Sequence, residues 1–230
     1  MEGENISFSP PPLGEKGLDR FEKLAIVCIA ALAIGGLTFL GSGLYIKAKA
    51  ELSQILLQRA FAAELRGEDT KPWPWADFTT EAEVRAPRIG AKAIVLAGAS
   101  GQALAFGPAW LTNTPQPGEE GTAVIAAHRD THFRWLKDVR RGDLIEVTRR
   151  DGKMITFRAG QARIARWDEN GIDPAASGRH LALATCWPFD AVTRGPLRYI
   201  LDAELIEPGD NRIPPSKETA SADTMTLSTP

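Results

Sequence analysis

Apolar and polar positions divide the chain into three regimes. Residues 24–46 carry no charged side chain and are dominated by Leu, Ile, Ala, Val and Gly. At a rise of about 1.5 Å per residue, a helix of that length crosses a hydrocarbon core of roughly 30 Å. One transmembrane helix is therefore expected at 24–46, after a short segment at 1–23. A cleaved leader, with Ala48-Lys49-Ala50 as its small-residue site, is the competing reading. The apolar run exceeds the usual leader core of about 7 to 15 residues, and several acids precede it, so an anchor fits better. Next, Leu52, Ile55, Leu56, Ala60 and Leu65 recur near helical spacing and predict an amphipathic juxtamembrane helix. Lys71-Pro72-Trp73-Pro74-Trp75-Ala76-Asp77-Phe78 then alternates Pro with Trp, which forbids regular helix. Because free tryptophans would be an apolar liability, this segment is expected to strap along a domain surface, completing a region at 47–85.

From 86 to 207 the pattern changes to short apolar or alternating runs separated by Gly, Pro, Asp and Asn. Strands are predicted at 92–97, 103–106, 122–127, 144–148, 153–158, 161–167, 180–186 and 198–205, a mainly β domain whose short strands suggest a small barrel. Asp151-Gly152 is a two-residue hairpin signal, and Phe133, Leu136 and Val139 align within a helical insertion at 131–139. Residues 208–230, rich in Ser, Thr, Pro and Asp, offer little to bury and are expected to be disordered.

Composition narrows the function. The 230 residues are 43% hydrophobic and 24% charged with a formal net charge of -2, so no basic excess attracts nucleic acid. Two cysteines and three histidines are too few for a cysteine-rich zinc framework, and no cofactor is predicted. Lys16, Arg20 and Lys23 balance Lys47, Lys49 and Arg59 across the apolar run, so charge leaves its orientation open. Cys28 inside that run reads as a small apolar side chain.

Cys186 lies outside the apolar run and ends a strand-like stretch. Without a partner it forms no intramolecular disulfide, and outside the cytosol a free thiol suggests a reacting group. His128 ends another apolar run, 122–127. If the strands ending at Cys186 and starting at Arg198 pair as a hairpin, those two residues face each other at roughly 5 Å between Cα atoms. On the thiol's face Ala182 and Ala184 leave room for a substrate backbone, while Leu181 and Leu183 face the core. Cationic neighbours favour a thiolate, so these residue types suit acyl transfer. Cys186 is the candidate nucleophile and His128 the candidate general acid and base. Arg198 is the candidate donor to a carbonyl or oxyanion. Ala184, Thr185 and Trp187, flanking the thiol, are the candidate substrate-binding residues. His132, four residues after His128, raises a metal alternative, but a zinc-protease helix needs Glu where Arg129 stands.

Three local patterns resemble the sortases, membrane-anchored cysteine transpeptidases. Gly121-Thr122-Ala123-Val124-Ile125-Ala126-Ala127-His128-Arg129-Asp130 resembles the family's apolar strand ending in its catalytic His. Leu183-Ala184-Thr185-Cys186 resembles its Leu-x-Thr-Cys signature, and Arg198 before an apolar strand resembles its catalytic Arg. The match covers 88–205. Trp73-Pro74-Trp75-Ala76-Asp77 resembles a segment in the sortases of Gram-negative bacteria. The resemblance implies a closed eight-stranded β-barrel at 86–207 and thioester formation on an LPxTG-like C-terminal sorting signal of a substrate protein. An amine acceptor then resolves the thioester. It further implies an inner-membrane anchor with the barrel on the periplasmic side and a substrate path between loops 168–178 and 187–197. Ala127 departs from the Gly usual before the catalytic His, and Arg194 is a second candidate for the arginine role. No acidic cluster is spaced for a calcium site, so no metal is expected. A cell-wall L,D-transpeptidase is the alternative enzyme, although Cys186-Trp187-Pro188 does not fit its His-Gly-Cys-x-Arg arrangement. A non-catalytic, membrane-tethered binding barrel is the alternative outside enzymes.

Overall fold

In a computed structural model that describes residues 19–193 and 195–207, the alternating segments form eight strands whose order closes on itself. They are β1 (Thr80–Ala86), β2 (Ala91–Ala97), β3 (Ala109–Trp110), β4 (Gly121–Ala126), β5 (Leu144–Arg149), β6 (Met154–Arg166), β7 (Arg179–Cys186) and β8 (Leu197–Leu205). Around the barrel they run β1-β2-β3-β4-β7-β8-β6-β5, and β5 pairs with β1. The β2/β3 and β4/β7 pairs are parallel and the others antiparallel. Closure leaves no unpaired edge. One face of each strand fills the interior, where Val84, Val95, Ile125, Ile145, Phe157, Leu181 and Leu183 are sealed from solvent.

The expected barrel is present, but two strand assignments change. Residues 101–106, read partly as a strand, form a short helix, α2 (Gly101–Phe106). Its Ser100 cap accepts a hydrogen bond from the Ala103 amide at 3.0 Å, and alanine-rich Gly-Gln-Ala-Leu-Ala-Phe prefers helix once capped. The two strands expected at 153–158 and 161–167 are one, β6, with an irregularity between Ala159 and Ala162. Gly160 sits at that bulge because a Cβ there would lie 2.9 Å from the Asp202 carbonyl oxygen. A glycine inside an alternating run thus marked a bulge rather than a turn. β1 begins six residues ahead of the expected boundary at 86, inside the region assigned to the strap, and β3 was not foreseen.

The insertion after β4 holds a 3-10 turn, Arg134–Asp138, rather than a full helix. Phe133, Leu136 and Val139 recur every three residues, the 3-10 period, and the first two are fully buried.

One long helix, α1 (Arg20–Glu64), precedes the barrel. Its stretch Arg20–Phe39 is long and apolar enough to cross a membrane, and none of that stretch is buried. The later part, from Glu51, belongs to the barrel unit. There Ser53, Leu57, Ala60, Phe61, Ala63 and Glu64 are buried, while Leu52, Ile55 and Leu65 stay exposed, so most of the buried stripe differs from the one the apolar spacing predicted. Leu57 and Phe61 join Phe78, Ile94, Leu96 and Ala103 in a second cluster outside the barrel. Trp73 packs edge-on against Phe78 and Phe106 in that cluster, whereas Trp75 remains 79% exposed; only half of the strap's aromatic pair docks.

Glu64 closes this packing. Its Oε2 accepts from the Thr80 hydroxyl at 2.7 Å, and Oε1 has no partner among the described residues. Burial pushes the carboxyl above the ordinary carboxylate range, against the opposing pull of the Thr80 bond and of Arg150. A raised folded-state pKa means that the protonated form is favoured by folding. That contribution is complete below the unfolded pKa and is lost as pH rises through the folded value. Glu64→Gln, neutral and still an acceptor for Thr80, should therefore raise Tm at pH 8 by about 2–4 °C. The gap should close near pH 4, and a gap independent of pH in thermal denaturation would contradict this account.

Candidate active site

Strand pairing determines which residues meet. Parallel pairing sets Ala126 of β4 opposite Ala184 of β7, and antiparallel pairing sets Cys186 opposite Arg198 of β8. The C-terminal ends of β4 and β7 and the N-terminal start of β8 therefore share one end of the barrel. His128 lies two residues beyond Ala126, as Cys186 lies two beyond Ala184, so the side-chain period of 2 puts both on one face. The Trp187 amide donates to the Leu197 carbonyl at 3.0 Å, which makes the adjoining Cys186/Arg198 pair a non-hydrogen-bonded one. In such pairs Cα atoms approach to about 4.5 Å and side chains are closest.

His128, Cys186 and Arg198 all line one groove of about 460 Å³. The floor is the outer face of the sheet, where Val124, Ala184 and Ile200 are small or apolar. Leu181 and Leu183 point the other way, into the barrel, as parity requires. Of the three residues expected to contact substrate, Ala184 lines the groove. Thr185 does not: it is buried, and its hydroxyl donates to the Ala127 carbonyl at 2.7 Å. Trp187 stacks on Tyr199 with ring centroids 5.9 Å apart and is also outside the lining. Thr185 thus ties the thiol strand to the segment carrying His128, a link reinforced by the Ala127 amide donating to the Ala184 carbonyl at 3.1 Å.

The 168–178 loop, expected on one side of the substrate path, lines the groove. The 187–197 loop expected on the other contributes no lining residue among the described ones, and the opposite wall comes from segments the sequence did not mark. Leu104 of α2, with Leu111, Asn113 and Thr114 after β3, forms one side. Trp167, Asn170 and Ile172 of the β6–β7 loop form the other. That loop is held at both ends. Arg163 donates to the Asn170 carbonyl and pairs with Asp202 at 2.7 Å. Gly121 adopts φ +106, and a Cβ there would overlap the Pro174 carbonyl oxygen, so only glycine lets the loop dock so closely on β4. Glycine before an apolar strand was the available signal, yet nothing local names its partner 53 residues on.

Arg198 is half-buried, and its Nη1 donates to the carbonyls of Gly195 and Leu197 at 3.0 and 2.9 Å. Nε and Nη2 have no acceptor among the described residues. Arg194 lies outside the described residues. His132 is half-buried; burial holds its imidazole below the ordinary range, with His128 acting in the same sense. Its bond to the Ala105 carbonyl and the Asp130 charge oppose that shift. Among the described residues no three His, Cys, Asp or Glu side chains gather where they could hold a metal.

The same architecture recurs in known proteins. The Sortase domain family model matches residues 84–206. Sortase D of Bacillus subtilis is 29% identical over 116 residues, which are 50% of this chain and 58% of that protein. Sortase A from Corynebacterium diphtheriae superposes with a TM-score of 0.53 at 23% identity, over 60% of this chain and 66% of that one. A Clostridium perfringens Sortase D5 transpeptidase gives 0.54 at 19% identity, over 68% of this chain and 99% of that one. These two likenesses establish the fold alone. The family match is different in kind: it runs from the last residues of β1 past the end of β8, through every segment that brings His128, Cys186 and Arg198 together, and the chain belongs to the sortase family.

Proposed function

We propose that the protein is a membrane-anchored cysteine transpeptidase that cleaves an LPxTG-like C-terminal sorting signal and transfers the acyl part to an amine. The observation that carries this reading is the meeting of three strand ends, which sets Cys186, His128 and Arg198 on one groove. The Cys186 thiolate adds to the carbonyl carbon of the Thr–Gly bond. His128 as the acid protonates the departing Gly nitrogen, and a thioester forms as the C–N bond breaks. An amine then adds to the thioester and gives its proton to His128. The thiolate leaves and His128 again carries its proton, so nucleophile and acid are regenerated. Arg198, with donors not occupied among the described residues, hydrogen-bonds the carbonyl oxygen as it gains charge. Ala184 leaves space for the substrate backbone; Thr185 acts at one remove by fixing the strand.

An N-terminal helix apolar enough to span a bilayer supports a single-pass anchor, with 1–23 cytoplasmic and the barrel outside the inner membrane. Kinship with the sortases of Gram-negative bacteria rests on the Trp73–Asp77 segment alone. The reading is tested by incubating the full chain in detergent with LPxTG-type peptides. Intact-mass measurement should show a peptide acyl adduct on Cys186 that added glycine amide discharges into a new amide product. Absence of adduct across a peptide panel, with the thiol still alkylatable, would exclude this transfer chemistry.

A further inference from the structure

His128 is held on both sides of its own backbone. Ala127 is tied to β7 by the Thr185 hydroxyl and the Ala184 carbonyl, and the His128 carbonyl accepts from the Phe133 amide at 3.0 Å. On the other side stands Arg129, which is only 8% exposed. Its Nη2 donates to the carbonyls of Ala191 and Thr193, the latter at 2.9 Å. Both acceptors lie in the β7–β8 loop, which follows Cys186 and leads into β8 just before Arg198. Arg198 binds the same loop's backbone further on, at Gly195 and Leu197. The loop is also pinned by Phe189, packed on the barrel core and 5.0 Å from Tyr199 between ring centroids.

A guanidinium in this place carries a thermodynamic cost. Arg129 has no carboxylate partner in a salt bridge among the described residues, and its buried Nη1 has no acceptor there. An apolar side chain would fill the space without that desolvation penalty. A rule of local stability broken next to reacting groups points to function.

We propose that Arg129 is a positioning residue, a buried clamp that locks the β7–β8 loop to the segment bearing His128 so that base, thiol and Arg198 keep one geometry through both half-reactions. This rests on the transpeptidase reading above. The donor groove is walled mainly by α2, the β3–β4 segment and the β6–β7 loop, so loosening the clamp should disturb chemistry rather than peptide binding.

The test uses Arg129→Gln and Arg129→Lys in the full chain. The folded fraction of each variant is first set from its thermal unfolding followed by tryptophan fluorescence, so that unfolded molecules do not count. Arg129→Gln should lower kcat about 10–100-fold, the scale of a small misplacement of reacting groups, with KM for the peptide within about twofold of wild type. Arg129→Lys, which keeps a multi-donor cation, should recover part of that loss. Amide hydrogen exchange should accelerate across 188–197 in Arg129→Gln while 179–186 stays unchanged. Faster loop exchange with unaltered kcat would overturn the proposal, as would a loss carried by KM or one that vanishes after correction for the folded fraction. Turnover surviving in Cys186→Ala would instead refute the transpeptidase reading itself, a separate result.

Discussion

Cys186→Ala should lose peptide cleavage and transfer by at least about 1,000-fold while the barrel stays folded, because the substitution deletes the sulfur proposed to form the thioester. The face on which Cys186 stands also carries Ala182 and Ala184, so a methyl group suits the local packing. Replacing one half-buried sulfur there should cost no more than about 1 kcal/mol. Tm should shift little, and tryptophan fluorescence should keep its native spectrum. Turnover within tenfold of wild type in a folded variant would remove the nucleophile from Cys186 and with it the proposed chemistry.

Arg198→Lys should lower kcat by about 10²–10³-fold although charge is conserved. The guanidinium anchors itself through Nη1 to two carbonyls of its own loop, and its planar fork then keeps Nε and Nη2 in a fixed direction. An ammonium on a flexible stem that satisfies the Gly195 and Leu197 carbonyls has one N–H left for an oxyanion, without the fixed direction of the fork. The loss should appear in kcat more than in KM, since the interaction strengthens as charge develops on the substrate oxygen. A near-normal kcat would move the arginine role elsewhere, and Arg194 in the same loop is the first position to test.

Placement of the candidate residues in the fold was legible because it follows from parity and termini. A strand's period of 2 separates Leu181 and Leu183 from Ala182, Ala184 and Cys186 without any knowledge of neighbours, and the core confirms the division. Pairing of the Cys186 strand with the Arg198 strand was legible too, because antiparallel neighbours joined by one loop are a local event. Thr185 and Trp187 show the limit. Sequence proximity to the thiol suggested contact with substrate, yet the same parity turns Thr185 inward, to the Ala127 carbonyl.

Elsewhere the chain's local preferences were overruled or ambiguous. Leu52, Ile55 and Leu65 are as apolar as Leu57 and Phe61, and only the position of Phe78, Ile94 and Leu96 decides which stripe is buried. Gly160 carries the same letter whether it turns the chain or bulges it; the Asp202 carbonyl decides.

What the sequence by itself determined, then, is a set of short alternating strands, an apolar N-terminal helix and three reactive residue types at strand termini, all written in periods of two to four residues. The tertiary structure alone decided that β4 runs parallel beside β7, so that His128 lines the same groove as Cys186 from 58 residues away, and that Arg129 is buried against the loop beyond it. Parallel neighbours need a long crossover, and the choice among such crossovers depends on closing a whole barrel around one core rather than on any local pattern.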